Sequence, residues 1–265
     1  MSTIELEPHS GLKTVEKSLR ILELLLTEKE GMGIAQIAQQ TGLHRASVHR
    51  LLTSLHALGW IERPAARPHF RISLRLYALA RVFVLGYNPV ERLDPLLVEL
   101  CMRSRETVHL GILDRWEVVH IGRQESPERV GVSSRIGGRG WAHCSSMGKA
   151  LLAEQTDDYV QAYIEHTGLP RMTERTITTP EALWAEIAVV RERGYALDDE
   201  EDAVGVRCLG TAIPSAHGPA VLGVSITGPS PRFALATAHQ FAPILLDLVH
   251  GAAASGYIPE EIAAT

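Results

Sequence analysis

The chain has 265 residues, enough for one or two domains with cores of their own. Its 45% hydrophobic and 22% charged content describes a globular protein, and no apolar run approaches the ~18 residues of a membrane span. The net charge of −5 is unevenly distributed. Residues 1–88 hold 11 Lys and Arg against 7 Asp and Glu, whereas residues 89–265 hold 15 against 24. A basic first part and an acidic second part imply separate tasks, with polyanion binding in front. The N-terminal MSTIELEPHS carries acids and no apolar signal core. Cys101, Cys144 and Cys208 are odd in number and widely spaced. Neither export nor a disulfide framework is expected, and the cytoplasm is the natural compartment.

Residues 1–11 read as a tail. In residues 12–30, Val15, Leu19, Leu22 and Leu26 recur at helical spacing, predicting a first helix that ends at Glu30-Gly31-Met32-Gly33. Ile34, Ile37 and Ala38 continue the period until Thr41-Gly42-Leu43 interrupts it. Val48, Leu51, Leu52, Leu55 and Leu58 then restore an apolar stripe. A small Ala38 and a glycine four residues later suit two helices meeting at a sharp turn. Opposite the stripe, His44, Arg45, Ser47, His49 and Arg50 cluster at the start of the second helix, with no acid before Gly59. That pattern predicts a helix-turn-helix presenting its second helix to a DNA major groove. Arg45, Ser47 and His49 are the candidates for base edges.

Next, Trp60–Arg63 and His69–Ile72 flank the Pro-bounded basic loop 64–68 and read as a β-hairpin wing. Arg50, Arg63 and Arg67 are the candidate phosphate contacts, and Arg71 lies on the same wing. A solvated basic loop is the plainer alternative. Ser73 caps a predicted helix, LRLYALARVFVLGYN, that is apolar on most of its surface. Such a helix needs two packing partners, its own domain and a second copy of the chain. Dimerisation suits a reader of near-palindromic double-stranded DNA. The organisation expected is a tail (1–11), a winged helix-turn-helix (12–72), a linker helix (73–88) and a second domain (89–265).

Beyond Val90 the pattern is mixed. A helix is predicted over 93–103, a strand pair at 108–113 and 118–121, and a third strand at 130–136. Helices follow at 145–154, 158–166 and 180–193. Late strands fall at 195–197, 209–213 and 220–227, before a closing helix at 233–254. Short connections favour an antiparallel sheet with helices on its faces, an α+β domain.

Within this domain Ser145 can cap the helix that starts at Ser146, leaving the amides of Ser146 and Met147 free to meet a carboxylate. On this stretch alone an ordinary capped helix is the commoner case. Ser225 and Thr227 sit two apart on a strand and share one face, as they also would on an outer face. Asp198 opens an acidic run, Asp198–Asp202, of the kind that is usually solvated.

The winged helix-turn-helix, the apolar linker helix, HCSSMGKALLA at 143–153, DDEEDAVGVRCLGTAIP at 198–214 and GVSITGP at 223–229 together resemble the IclR family of bacterial transcription regulators. The likeness spans residues 12–255 in order. It implies a C-terminal effector-binding domain with a GAF-like or profilin-like fold, and assembly as dimers or dimers of dimers. It also implies control of an operon for metabolism of a small organic acid, by repression, activation or both. Ser146, Met147, Asp198, Cys208, Ser225 and Thr227 match family effector contacts. Trp141 departs from the usual proline-leucine, Met147 is larger than the family's small residue, and Ala46 replaces a common serine. Trp141 and His143 are added as candidate pocket residues; Trp141 and Met147 either line the pocket, as an aromatic wall and an adaptable floor, or are core residues that make it smaller. The polar set suits an acid that also carries a hydroxyl or hydrated carbonyl.

No cofactor is expected. Two alternatives stand beside this reading. One is a metal-responsive regulator using His143, Cys144, Asp198 and Cys208, although no closely spaced ligand pair anchors it. The other is a Cys-dependent hydrolase built on Cys144, His143 and Asp198, although sequence neighbours rarely face each other and no oxyanion element accompanies them.

Overall fold

The structure is a computed structural model that describes residues 13–28, 30–64, 69–86, 88–132, 134–215 and 218–254. It separates into two compact units, Met1–Asn88 and Pro89–Thr265.

In the first unit, α1 (Lys13–Thr27), α2 (Ile34–Thr41) and α3 (Arg45–Ala57) pack around Ile21, Leu25, Ile37, Ala38, Val48, Leu52 and Leu55. Gly42 ends α2 at φ 69°, the left-handed conformation that lets the chain turn sharply into α3. His44 caps α3, its Nδ1 accepting the Ala46 amide at 3.3 Å. β1 (Ile61–Glu62) and β2 (Arg71–Ile72) pair antiparallel as the wing, and Met32 bridges to Phe70 at its base.

Two stripes differ from expectation. In α1 Ile21 and Leu25 are buried in this core and Leu22 and Leu24 pack against it partly buried, whereas Val15, Leu19 and Leu26 are exposed. Of the expected stripe, only Leu22 meets the core. Leu58 is exposed because it is the C-cap of α3, one residue beyond the helical stripe. In α4 (Leu74–Gly86) no described side chain is buried within the chain, and Leu74, Tyr77, Val82 and Leu85 are among the most exposed large apolar residues.

The second unit is built on a six-stranded antiparallel sheet in the order β5-β4-β3-β8-β7-β6. The strands are β3 (Thr107–Asp114), β4 (Glu117–Gln124), β5 (Arg139–Trp141), β6 (Ala196–Asp199), β7 (Val206–Ala212) and β8 (Leu222–Pro229). α5 (Pro89–Ser104) and α9 (Leu235–Ala254) cover one face, in a core with Val108, Leu110, Val224 and Ile226. On the other face lie α6 (Ser146–Ala153), α7 (Asp157–Thr167) and α8 (Pro180–Arg193), with Val118, Ala196 and Ala212. The strand expected at 130–136 is absent: its described residues form an irregular segment in which Val130 and Ile136 are exposed. The fifth strand is instead the short β5, at the edge of the sheet. No helix of the described residues is long and apolar enough to cross a membrane.

α6 approaches the sheet unusually closely. Gly111 on β3, Gly223 on β8 and Gly210 on β7 all face its first turn. A Cβ on Gly210 would lie 2.7 Å from the Met147 amide nitrogen, and one on Gly223 would lie 2.7 Å from the Met147 side chain. Contacts that short do not occur, so backbone-on-backbone packing at this point requires glycine.

Candidate effector pocket and DNA-facing helix

The face of the sheet beneath α6 changes character along the strands. Where α6 sits, it consists of Gly111, Gly223, Gly210 and Ala212. Beyond the N-terminus of α6 it turns polar. Thr227 is paired with Cys208, which is paired with Asp198, so one polar row crosses β8, β7 and β6. His109 and Ser225 form the next row. This polar end floors a cavity of about 540 Å³, within the ~300–1,000 Å³ typical of small-molecule sites. Its walls are Ser145–Met147, Val130, Gly131, Val132 and Ser134 of the irregular segment, and Asp202, Ala203 and Gly205 of the β6–β7 connection.

The helix start presents donors to this space. Ser145 Oγ accepts the Gly148 amide at 3.1 Å, and the Ser145 carbonyl accepts that of Lys149 at 2.9 Å. The amides of Ser146 and Met147 remain as the orphan donors of the helix start. Ser146 Oγ is itself buried with no protein partner. Around it, Thr227 donates to Cys208 Sγ at 3.4 Å and meets His109 Nδ1 at 3.3 Å, while His109 Nε2 lies 2.5 Å from Ser134 Oγ.

Asp198 is buried, and desolvation raises its carboxyl to about 7, opposed by the Glu201 amide it accepts at 2.7 Å. Burial, reinforced by the neighbouring His120 and Arg123, lowers His109 to about 3, so it is a neutral imidazole near neutral pH. The acidic run, expected to be solvated, is instead strapped down. Glu201 pairs with buried Lys149 of α6 at 2.5 Å. Thr173 donates to the Glu200 carbonyl at 2.7 Å and Thr176 to the Glu201 carbonyl at 2.6 Å.

The cavity therefore gathers Ser146, Met147, Asp198, Cys208, Ser225 and Thr227. Trp141 and His143 do not line it. Trp141 lies on edge strand β5, opposite Glu117. A 3₁₀ turn over Ala142–Cys144 then carries His143 into the core, where Tyr163 Oη lies 2.8 Å from its Nδ1 and the Pro170 carbonyl 3.1 Å from its Nε2. Sequence reading missed His109, His120, Ser134 and Asp202, which also face the cavity. The available signal was the two-residue turn at Arg115-Trp116, whose register sets His120 opposite Gly111, on the face His109 also occupies.

This geometry does not favour the alternatives. Both nitrogens of His143 are engaged, and burial followed by the charges of Asp202 and Asp198 pushes the Cys144 thiol far up, the reverse of an activated nucleophile. Among the described residues no three His, Cys, Asp or Glu side chains form a group that could hold a metal ion.

In the first unit Arg45, His49 and Arg50 are exposed on α3 and Ser47 is half-buried. Arg63 is exposed, with its guanidinium 5.6 Å from the centre of the Phe70 ring. Arg71 is paired with Glu62 across the wing at 2.6 Å. Arg67 lies outside the described residues.

A winged helix-turn-helix joined in one chain to an α+β domain with a polar cavity defines a two-domain DNA-binding transcription regulator. Residues 14–65 match the IclR helix-turn-helix domain, and residues 85–252 match the bacterial transcriptional regulator IclR C-terminal domain. The chain belongs to the IclR family, whose members are transcriptional regulators and not enzymes. It is 31% identical to the HTH-type transcriptional regulator KdgR of Escherichia coli, over 91% of each protein. It is also 31% identical to the transcriptional repressor IclR of the same organism, over 85% of this chain and 83% of that protein. Its fold matches an IclR homologue from Microbacterium hydrocarbonoxydans solved with 4-hydroxybenzoate, with a TM-score of 0.74 at 22% identity, covering 91% of this chain and 99% of that one.

Proposed function

We propose that this regulator is controlled by a small organic acid bound in the cavity at the α6 N-terminus, and that it governs an operon for metabolism of such an acid. The observation that carries the reading is Ser146, whose buried hydroxyl has no protein partner beside two orphan amides. A carboxylate satisfies all three donors and meets the positive end of the helix dipole. Ser225 and Thr227 supply further hydroxyls. Asp198, raised to about 7, is partly protonated near neutral pH and then tolerates the acid.

Arg45, Ser47 and His49 read base edges in this proposal, and Arg50, Arg63 and Arg67 hold phosphates. The exposed apolar faces of α1 and α4 pack against a second copy, which matches a near-palindromic site. The 4-hydroxybenzoate bound by the Microbacterium homologue supports the acid class.

The test is fluorescence-anisotropy titration of DNA from upstream of the chain's own gene against shuffled DNA, across a salt series, with and without a panel of organic acids. Specific binding that falls steeply with salt and that one acid shifts is expected. Binding to the native DNA that no acid alters would overturn the effector reading.

A further inference from the structure

Strand β4 contains a bulge. Leu110 pairs with Gly122, yet the next residue, Gly111, pairs with His120, leaving Ile121 as the extra residue. From the turn at Arg115-Trp116 the ladder sets His120 opposite Gly111 on the α6 face and directs Ile121 to the apolar core with α5 and α9; beyond the bulge the register shifts by one, so Arg123 rather than Gly122 stands opposite His109. Ile121 packs into that core, and His120 lines the cavity. Bulges of this kind are frequent beside functional sites.

The imidazole that arrives there is held but not consumed. It stacks on His109 at 4.6 Å between centroids, 19° from parallel. His109 has both nitrogens engaged, by Ser134 and Thr227. The His120 ring has no hydrogen-bond partner among the described residues, although its backbone amide donates to the Gly138 carbonyl. Asp202 lines the same cavity, and its charge acts on His120.

We propose that His120 is a specificity-determining residue that reads a hydroxyl on the effector, remote from its carboxylate. The proposal rests on the acid reading above: the carboxylate is held at Ser146 and Met147, and the far end of the molecule reaches the histidine. A neutral imidazole has one donor and one acceptor nitrogen, and a hydroxyl can serve either. A site built to bond a hydroxyl rejects the analogue that lacks it, because its own polar group is then left unpaired.

Calorimetry with two matched pairs tests this: 4-hydroxybenzoate against benzoate, and 4-hydroxybutyrate against butyrate. The native chain should bind the hydroxylated member of at least one pair roughly tenfold tighter or more. His120→Phe should erase that preference while keeping the affinity for the plain acid, and His120→Gln should restore part of it. An unchanged preference in His120→Phe, or equal binding of both members by the native chain, would overturn the role of His120 and leave the acid reading intact. Failure of the native chain to bind any of the four acids, each at concentrations that saturate neither DNA nor protein non-specifically, would overturn both. Equal thermal midpoints for the three proteins establish that the substitutions leave the fold in place.

Discussion

Lys149 Nζ lies 2.5 Å from Glu201 Oε1, with the lysine almost completely buried and a second carboxylate, Glu186, at 3.6 Å. The pair fastens the β6–β7 connection to α6, the two elements that face each other across the cavity. Removing one partner leaves an uncompensated buried charge. Lys149→Ala should therefore lower the unfolding free energy by about 3–5 kcal/mol, and Lys149→Met combined with Glu201→Leu should recover most of it. Urea unfolding followed by tryptophan fluorescence measures both, since Trp116, Trp141 and Trp184 all lie in this unit.

Asp198 links stability to pH. Its folded value, about 7, is above the ordinary 3.8, chiefly through burial. Between those values the folded chain holds a proton that the unfolded chain has lost. The stability it contributes is therefore greatest below about pH 4, declines as pH rises towards 7, and is lost above that. Asp198→Asn should flatten this dependence, raising the thermal midpoint more at about pH 8 than at about pH 5. A uniform shift at both pH values would count against the assignment.

Gly210 faces the α6 backbone with no room for a methyl group. Gly210→Ala should cost about 1–3 kcal/mol through overpacking and displace the Ser146 and Met147 amides. Thermal denaturation and acid titration should both register the change.

On the DNA side, Arg45→Ala should cost about 1–3 kcal/mol and relax preference at one base position. Arg50→Ala should weaken all sequences alike and reduce the salt slope by about 1. Anisotropy with single-base operator variants separates these outcomes, and uniform weakening by Arg45→Ala would reverse the two roles.

Substituting Asp for both Leu19 and Val82 places charge on the exposed apolar faces of α1 and α4. Light scattering should then report a species of lower mass than the native chain, with helix content by circular dichroism unchanged. An unchanged mass would move the self-association surface elsewhere.

Most elements were legible because their signals are local. The stripe of Val48, Leu52 and Leu55, the turn at Gly42 and the caps at Ser145 and Ser73 each follow from a few adjacent residues. The cavity was legible only in part. Asp198, Cys208 and Thr227 become neighbours through strand register, which composition does not reveal. His143 was misplaced because closeness in sequence to Ser145 does not survive a 3₁₀ turn. The run at 130–136 carries valine and isoleucine and so resembles a strand. Its apolar side chains at 130 and 136 instead lie exposed, with Val130 on the cavity wall, and hydropathy does not distinguish these situations.

The segment overhanging the cavity is tied at Glu200 and Glu201 by their backbone carbonyls, which accept the hydroxyls of Thr173 and Thr176. Main-chain fastening is indifferent to the side chains it holds. These ties leave the Asp202 side chain to face the cavity and the Cys144 thiol, 3.6 Å away. In the proposed effector reading, position 202 is therefore a place where ligand preference can be altered without rebuilding the domain.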